Sequence, residues 1–172
     1  TLLVMRTAIA TVCLSGGLVE KLHACAAAGF DGVEIMDADL VAAYESPEEI
    51  RALCARLGLT IDLFQPFRDF EGVDAATLAD NLRRAEAKFD VMQRLGADTV
   101  LVCSNVATAT ISDDEVAARQ LGELADRAAE RGIRIAYEAL AWGRYVNDYR
   151  HAWRIVELAD RPNLGTCLDS FH

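Results

Sequence analysis

Six short apolar runs alternate with five helical stretches along the chain, and that alternation restricts the fold more than any other feature. The runs cover 8–14, 32–36, 59–66, 99–105, 133–140 and 164–171, with helical patterns over 17–28, 47–57, 75–95, 113–131 and 148–159. Strands that are apolar along their length, separated by helices, belong to a parallel sheet covered by its helices. The punctuation agrees. Ser46-Pro47-Glu48-Glu49 reads as an N-cap, a first-turn proline and acids favourable to the helix dipole. Gly29, Gly58, Gly96 and Gly132 each fall just past a helix, where a left-handed residue is expected. In the third helix Leu78, Leu82, Ala85, Phe89, Met92 and Leu95 form a core stripe, with Arg83, Arg84 and Lys88 largely towards solvent.

This pattern fits an open doubly wound sheet or the first three-quarters of an eight-stranded (β/α)8 barrel. Leu14-Ser15-Gly16-Gly17 lacks the Gly-x-Gly-x-x-Gly spacing after the first strand, which weakens a dinucleotide-binding sheet. Polar residues gather at several strand ends instead: Glu34, Gln65 with Arg68, Ser104 with Asn105, Glu138, and Asp169 with His172. Chemistry spread over many strand ends is how a (β/α)8 barrel builds a site. A barrel does not close on six strands, so residues 5–172 are expected to be the N-terminal part of one barrel domain in a longer polypeptide, with residues 1–4 a leader or cloning remnant ahead of Met5.

The 172 residues carry a net charge of −10 and no basic cluster, which argues against nucleic acid as a partner. With 52% hydrophobic residues the chain is globular in composition, and no run approaches membrane-spanning length. Cys13, Cys25, Cys54, Cys103 and Cys167 are scattered and odd in number, which fits a reducing cytoplasm better than a disulfide framework. Three of them, Cys13, Cys103 and Cys167, fall in the strand runs, where cysteine acts as a small hydrophobe.

Glu138, in Ile135-Ala136-Tyr137-Glu138-Ala139-Leu140, and Asp169, in Leu168-Asp169-Ser170-Phe171-His172, are the unusual residues. Acids in apolar runs need a partner charge or a metal. A divalent cation serves both, and hard ions such as Mg2+ or Mn2+ favour carboxylate oxygen. The alternative pairs Glu138 with Arg68 or Arg144 and makes Asp169 a turn cap.

Gly29-Phe30-Asp31-Gly32-Val33-Glu34-Ile35 followed by strand-end Glu and Asp resembles the xylose-isomerase-like barrels, which include sugar isomerases and epimerases, inosose dehydratase and endonuclease IV. Phe64-Gln65-Pro66-Phe67-Arg68-Asp69-Phe70-Glu71-Gly72, Val102-Cys103-Ser104-Asn105, Tyr137 to Arg144 and the ending Leu168 to His172 are more similar to the bacterial 3-dehydroshikimate dehydratases within that superfamily. The resemblance implies a metal-dependent lyase that turns 3-dehydroshikimate into protocatechuate in aromatic catabolism (quinate and shikimate degradation). It implies a Glu, an Asp, a Gln or His and a further Glu as ligands, of which Glu138 and Asp169 match the first two. The metal expected is Mg2+ or Mn2+, and Co2+ can also serve. Some members carry a C-terminal dioxygenase-like domain.

Within that reading His172 is the candidate proton carrier, or a residue that orients Asp169. Arg68 matches a substrate carboxylate, unless it pairs with Asp69, Glu71 or Glu34. Gln65, Ser104, Asn105 and Arg144 are candidate substrate contacts. The family often has His where Tyr145 stands, which would shift any chemical role of that position. Glu34 is a buried structural acid or a pocket member, Trp142 a lid or packing residue, and His23 and His151 are expected to face solvent. Two rivals remain: a sugar or keto-sugar phosphate isomerase or epimerase on the same barrel, and an inactive partial module held by a partner or by self-association. A nuclease is disfavoured, because neither a histidine-rich zinc set nor a basic groove is visible.

Overall fold

The computed structural model describes residues 5–172, and the expectation for residues 1–4 lies outside them. Six strands form one parallel sheet in sequence order: β1 (Ala8–Ala10), β2 (Gly32–Met36), β3 (Thr60–Phe67), β4 (Thr99–Cys103), β5 (Arg134–Glu138) and β6 (Leu164–Cys167). The helices among the described residues are α1 (Leu18–Ala27), α2 (Asp37–Ala42), α3 (Pro47–Leu57), α4 (Ala75–Leu95), α5 (Asp114–Ala129) and α6 (Tyr149–Ala159). Sequential parallel strands joined by helices are the topology of successive units of a (β/α)8 barrel. Among the described residues no helix is long and apolar enough to cross a membrane.

Two compact units divide the chain: Thr1–Gln65 with Val91–Asp98, and Pro66–Asp90 with Thr99–His172. In the first, β1 pairs with β2 and β2 with β3. Its core holds Leu22, Val33, Ile35, Ile50, Met92 and Leu95, all fully buried. Ser46 caps α3 reciprocally: its hydroxyl accepts from the Glu49 N–H at 3.3 Å, and the Glu49 carboxylate accepts from the Ser46 N–H at 2.7 Å.

In the second unit β5 lies between β4 and β6, with Ile135, Tyr137, Val100 and Val102 buried and with α5 and α6 packed on β5 and β6. The stripe on α4 is buried from Leu82 to Leu95, as its spacing predicts, while Leu78 and Lys88 are half-buried. Asp113 and Asp148 cap α5 and α6 through Val116 N–H and through Arg150 and His151 N–H.

Four expectations need correction. The first strand stops at Ala10, where a 3-10 turn over Thr11–Cys13 takes over, so Cys13 is exposed and outside the sheet. The turn buries Thr11, whose hydroxyl accepts from Met36 N–H at 3.0 Å. The short helix α2 was not foreseen; its two apolar residues Leu40 and Val41 give too little periodicity to read. The last strand ends at Cys167, leaving Asp169 on the turn beyond it.

Finally, His151 does not face solvent, because Asp114 at the start of α5 draws it in. Its Nε2 lies 2.7 Å from Asp114 Oδ1, which also accepts from the Tyr145 hydroxyl at 2.8 Å, while Arg154 bonds Oδ2. Burial pushes the Asp114 carboxyl up, but the bonds from His151, Tyr145 and Arg154 outweigh it and hold the group at about 2, against an ordinary 3.8.

A depressed carboxyl contributes stability above its unfolded value and loses it as pH falls through the folded one. Asp114→Asn should therefore lower unfolding free energy at pH 7 by on the order of 1–2 kcal/mol. In urea titrations that difference should shrink below about pH 4 and be lost only below about pH 2. A constant difference across that range would mean the loss is packing, not charge.

Candidate metal centre

Glu138 is the last residue of β5 and stands in a lateral row with the last residues of its neighbours, Cys103 on β4 and Cys167 on β6. Its residue is only 7% exposed. The Cys103 thiol donates to Glu138 Oε2 at 3.6 Å, a weak bond for a buried carboxylate. Among the described residues no Lys or Arg forms an ion pair with it, so neither Arg68 nor Arg144 serves as the structural partner considered above. Burial pushes the Glu138 carboxyl up, and the Asp169 charge pushes it further; the Cys103 thiol, His172 and Arg68 pull against this.

After β6 the chain turns on Asp169. Its Oδ1 accepts from Phe171 N–H at 2.8 Å, and its carbonyl accepts from His172 N–H at 3.2 Å. The turn folds the His172 ring back until Nε2 is 3.7 Å from Asp169 Oδ2. On the far side Nδ1 accepts from the Ala141 N–H at 3.3 Å, and the ring packs edge-on against Trp142 with centroids 4.8 Å apart. That bond puts the proton of a neutral ring on Nε2, the nitrogen facing the carboxylates.

One ligand atom from each of Glu138, Asp169 and His172 falls within 4.8 Å of the others. Opposite ligands of an octahedral Mg2+ stand about 4.2 Å apart, so small movements close the set. A buried carboxylate served by a single thiol leaves charge that the protein does not neutralise, and a divalent cation fits there. The two carboxylates suit a hard ion, while His172, with its Nε2 proton facing them, stands beside the set.

Around this cluster the other expected residues fall as follows. The Arg68 side chain is exposed, and no carboxylate among the described residues pairs with its guanidinium. Arg144 is also exposed, and its backbone N–H donates to the Asn105 carbonyl at 2.7 Å. Ser104 and Asn105 are both 1% exposed. Ser104 Oγ accepts from Leu140 N–H at 3.0 Å; Asn105 donates Nδ2 to the Glu71 carbonyl at 2.7 Å and accepts from Ala107 N–H at 2.8 Å. In the first unit, Gln65 Nε2 donates to Glu34 at 2.8 Å, which leaves Glu34 half-buried beside an amide. Trp142 is packing for His172, and Tyr145 is tied to Asp114.

Sequence reasoning missed two features. Cys103 and Cys167 read in the sequence as apolar filler; only the strand register places them beside Glu138. Glu71 was seen only as a possible partner of Arg68. It is 2% exposed, with Oε1 accepting from Asn105 N–H at 2.7 Å and from the Tyr137 hydroxyl at 2.9 Å, while Oε2 is buried without a partner. A buried hydroxyl left unpaired costs roughly 1–3 kcal/mol. An unpaired buried charge costs more, several kcal/mol even after relaxation. Burial therefore works against the charged form of Glu71, while the bonds from Asn105 N–H and the Tyr137 hydroxyl favour it.

Residues 22–172 match the family described as xylose isomerase-like TIM barrel. The chain is 60% identical over 98% of its length to a "3-dehydroshikimate dehydratase" of Pseudomonas aeruginosa, and 56% identical over 98% to one of Pseudomonas putida. A solved "xylose isomerase-like TIM barrel/4-hydroxyphenylpyruvate dioxygenase fusion protein" superposes on 98% of the chain with a TM-score of 0.96 and 56% identity. The chain spans about a quarter of the length of these relatives: 26% of each dehydratase and 27% of the fusion protein.

Calorimetric titration of full-length protein with Mn2+ checks the cluster. Glu138→Ala and Asp169→Ala should each weaken binding by about 100-fold or more, and Cys103→Val, which removes only the outer hydrogen bond, by about tenfold. Unchanged binding in both carboxylate variants would remove the cluster as a metal site.

Proposed function

The chain belongs to the xylose isomerase-like TIM-barrel family, and from that premise we propose that it forms the metal-binding part of a 3-dehydroshikimate dehydratase, a lyase that converts 3-dehydroshikimate to protocatechuate. The observation that carries this reading is 60% and 56% identity to two proteins of that name across nearly the whole chain. The cluster of Glu138, Asp169 and His172 supplies the chemistry. Residues 5–172 then form the N-terminal part of one barrel domain. A dioxygenase-like domain beyond it would match the fusion protein. A reducing cytoplasm suits five cysteines that form no disulfide.

The reaction removes the proton α to the ring ketone and the hydroxyl β to it; the remaining ring tautomerises to the catechol. Glu138 and Asp169 would hold Mg2+ or Mn2+, with Co2+ able to serve. A bound divalent cation would offset the negative charge that develops on the ketone oxygen as the α-proton leaves.

The remaining roles belong to the chain itself. His172 is the proton-transfer group, because its Nε2 faces the carboxylates while Ala141 and Trp142 fix the ring. Arg68 has an uncommitted guanidinium, suited to a bidentate grip on the substrate carboxylate; Arg144 is the second candidate. Ser104 and Asn105 are 1% exposed and bonded to Leu140, Glu71 and Ala107. Their contribution is therefore to hold the strand ends in place.

Following protocatechuate absorbance with full-length protein and 3-dehydroshikimate, with and without EDTA, is the direct test. Product should form and should stop on chelation. Glu138→Ala and Asp169→Ala should lower kcat by about 100-fold or more, and Arg68→Ala should raise KM by about tenfold while changing kcat less. Folded protein that turns over a keto-sugar or sugar phosphate but not 3-dehydroshikimate would replace this reading with an isomerase.

A further inference from the structure

Glu71 lies in the loop after β3, three residues beyond Arg68, and the loop is built to hold one shape. Asp69 takes a left-handed φ of 54° and accepts from Val106 N–H at 3.1 Å through its side chain. Asn81, 4% exposed on α4, donates to the carbonyls of Asp69 and Phe70 at 2.8 and 3.1 Å. Arg84 reaches the Arg68 carbonyl at 3.4 Å and the Asn81 side chain at 2.8 Å.

These bonds shape the loop, but the Glu71 side chain joins it to the strands behind the metal cluster. Its Oε1 takes the first N–H after the Ser104 turn and the hydroxyl of Tyr137, the residue immediately before Glu138. Burial pushes its carboxyl up more strongly than those two bonds pull it down.

We propose that Glu71 is a positioning residue of this site, carried as a neutral carboxylic acid, which fixes the loop bearing Arg68 against the strand bearing Glu138. The proposal rests on the reading of Arg68 as the substrate contact and Glu138 as a metal ligand. A neutral acid suits the place: one oxygen accepts two donors, and the other carries a single hydrogen. Glutamine keeps the accepting oxygen without a charge, whereas alanine removes the link and leaves the Asn105 N–H and Tyr137 hydroxyl without their acceptor.

The experiment uses full-length protein and three variants, Glu71→Gln, Glu71→Ala and Tyr137→Phe. Infrared difference spectra of wild type against Glu71→Gln, with 13C-labelled glutamate, should lose a protonated-carboxyl stretch. Loss of an ionised-carboxylate band instead would overturn the neutral acid. In steady-state assays Glu71→Ala should raise KM for 3-dehydroshikimate about tenfold, with a smaller change in kcat, and Glu71→Gln should restore KM to within about twofold to threefold of wild type.

If Glu71→Ala does not fold, Tyr137→Phe removes one donor with little change of shape. It should raise KM in the same direction by about twofold to fivefold. An unchanged KM in folded Glu71→Ala, or in Tyr137→Phe if the alanine variant fails, would overturn the positioning role. If wild type does not act on 3-dehydroshikimate, the proposed function fails by itself. The infrared result and the Mn2+ affinity of Glu71→Ala, expected to fall, still decide the fate of Glu71.

Discussion

A carboxylate buried at the end of β5 governs how the second unit is arranged. Glu138 is buried at a strand end, and among the described residues the hydrogen-bond donor that reaches it is a thiol. Left alone, that charge would destabilise the fold by several kcal/mol. The elements that follow bring it company: the turn on Asp169 adds a second carboxylate and, three residues on, an imidazole. Two acids placed together repel each other, which is why Asp169 pushes the Glu138 carboxyl further up. Such an arrangement is unfavourable without a cation and favourable with one.

The loop after β5 turns this pairing of charges into a defined site. The Glu138 carbonyl accepts from Ser104 N–H at 2.8 Å, and Leu140 N–H returns to Ser104 Oγ, so the loop leaves the sheet in one direction. Gly143 lets it close, since a Cβ there would overlap the Val146 carbonyl and approach Ser104 Oγ. The closed loop presents Ala141 N–H to His172 and lays Trp142 against the ring. Farther along, Tyr145 anchors it to Asp114, together with His151 and Arg154. The frame holds the His172 ring in one orientation.

The regular part of this architecture was legible because hydrophobic period and helix caps are local. The α4 stripe, the Ser46 cap and the four glycines past helix ends, all with positive φ, stand where the sequence puts them. Glu138 stands out as an acid in a buried strand; Asp169 falls on an exposed turn past its strand, and the structure still brings both together with His172. What stayed hidden depends on residues far apart in sequence. Asp114 draws in His151 from 37 residues away, and Glu71 meets Tyr137 across 66. No periodicity reports such pairs. The early end of β1 was hidden for another reason: 8–14 is apolar but for Thr11, whose hydroxyl pairs with Met36 on the next strand where the turn begins.

Three acids of the second unit answer the same physical problem in different ways, and the difference separates structure from function. Asp114 stays ionised because three side chains supply donors, so its charge is spent on holding helices and a loop. Glu71 avoids charge altogether: two donors sit on one oxygen and nothing reaches the other. Glu138 has neither enough donors to remain a comfortable anion nor isolation from other charges, since Asp169, His172 and Arg68 all act on it. A protein selected for stability alone would resolve Glu138 as it resolves the other two, with an arginine or a proton. Among the described residues it does not, which leaves Glu138 with Asp169 and His172 as a cluster able to take a metal ion.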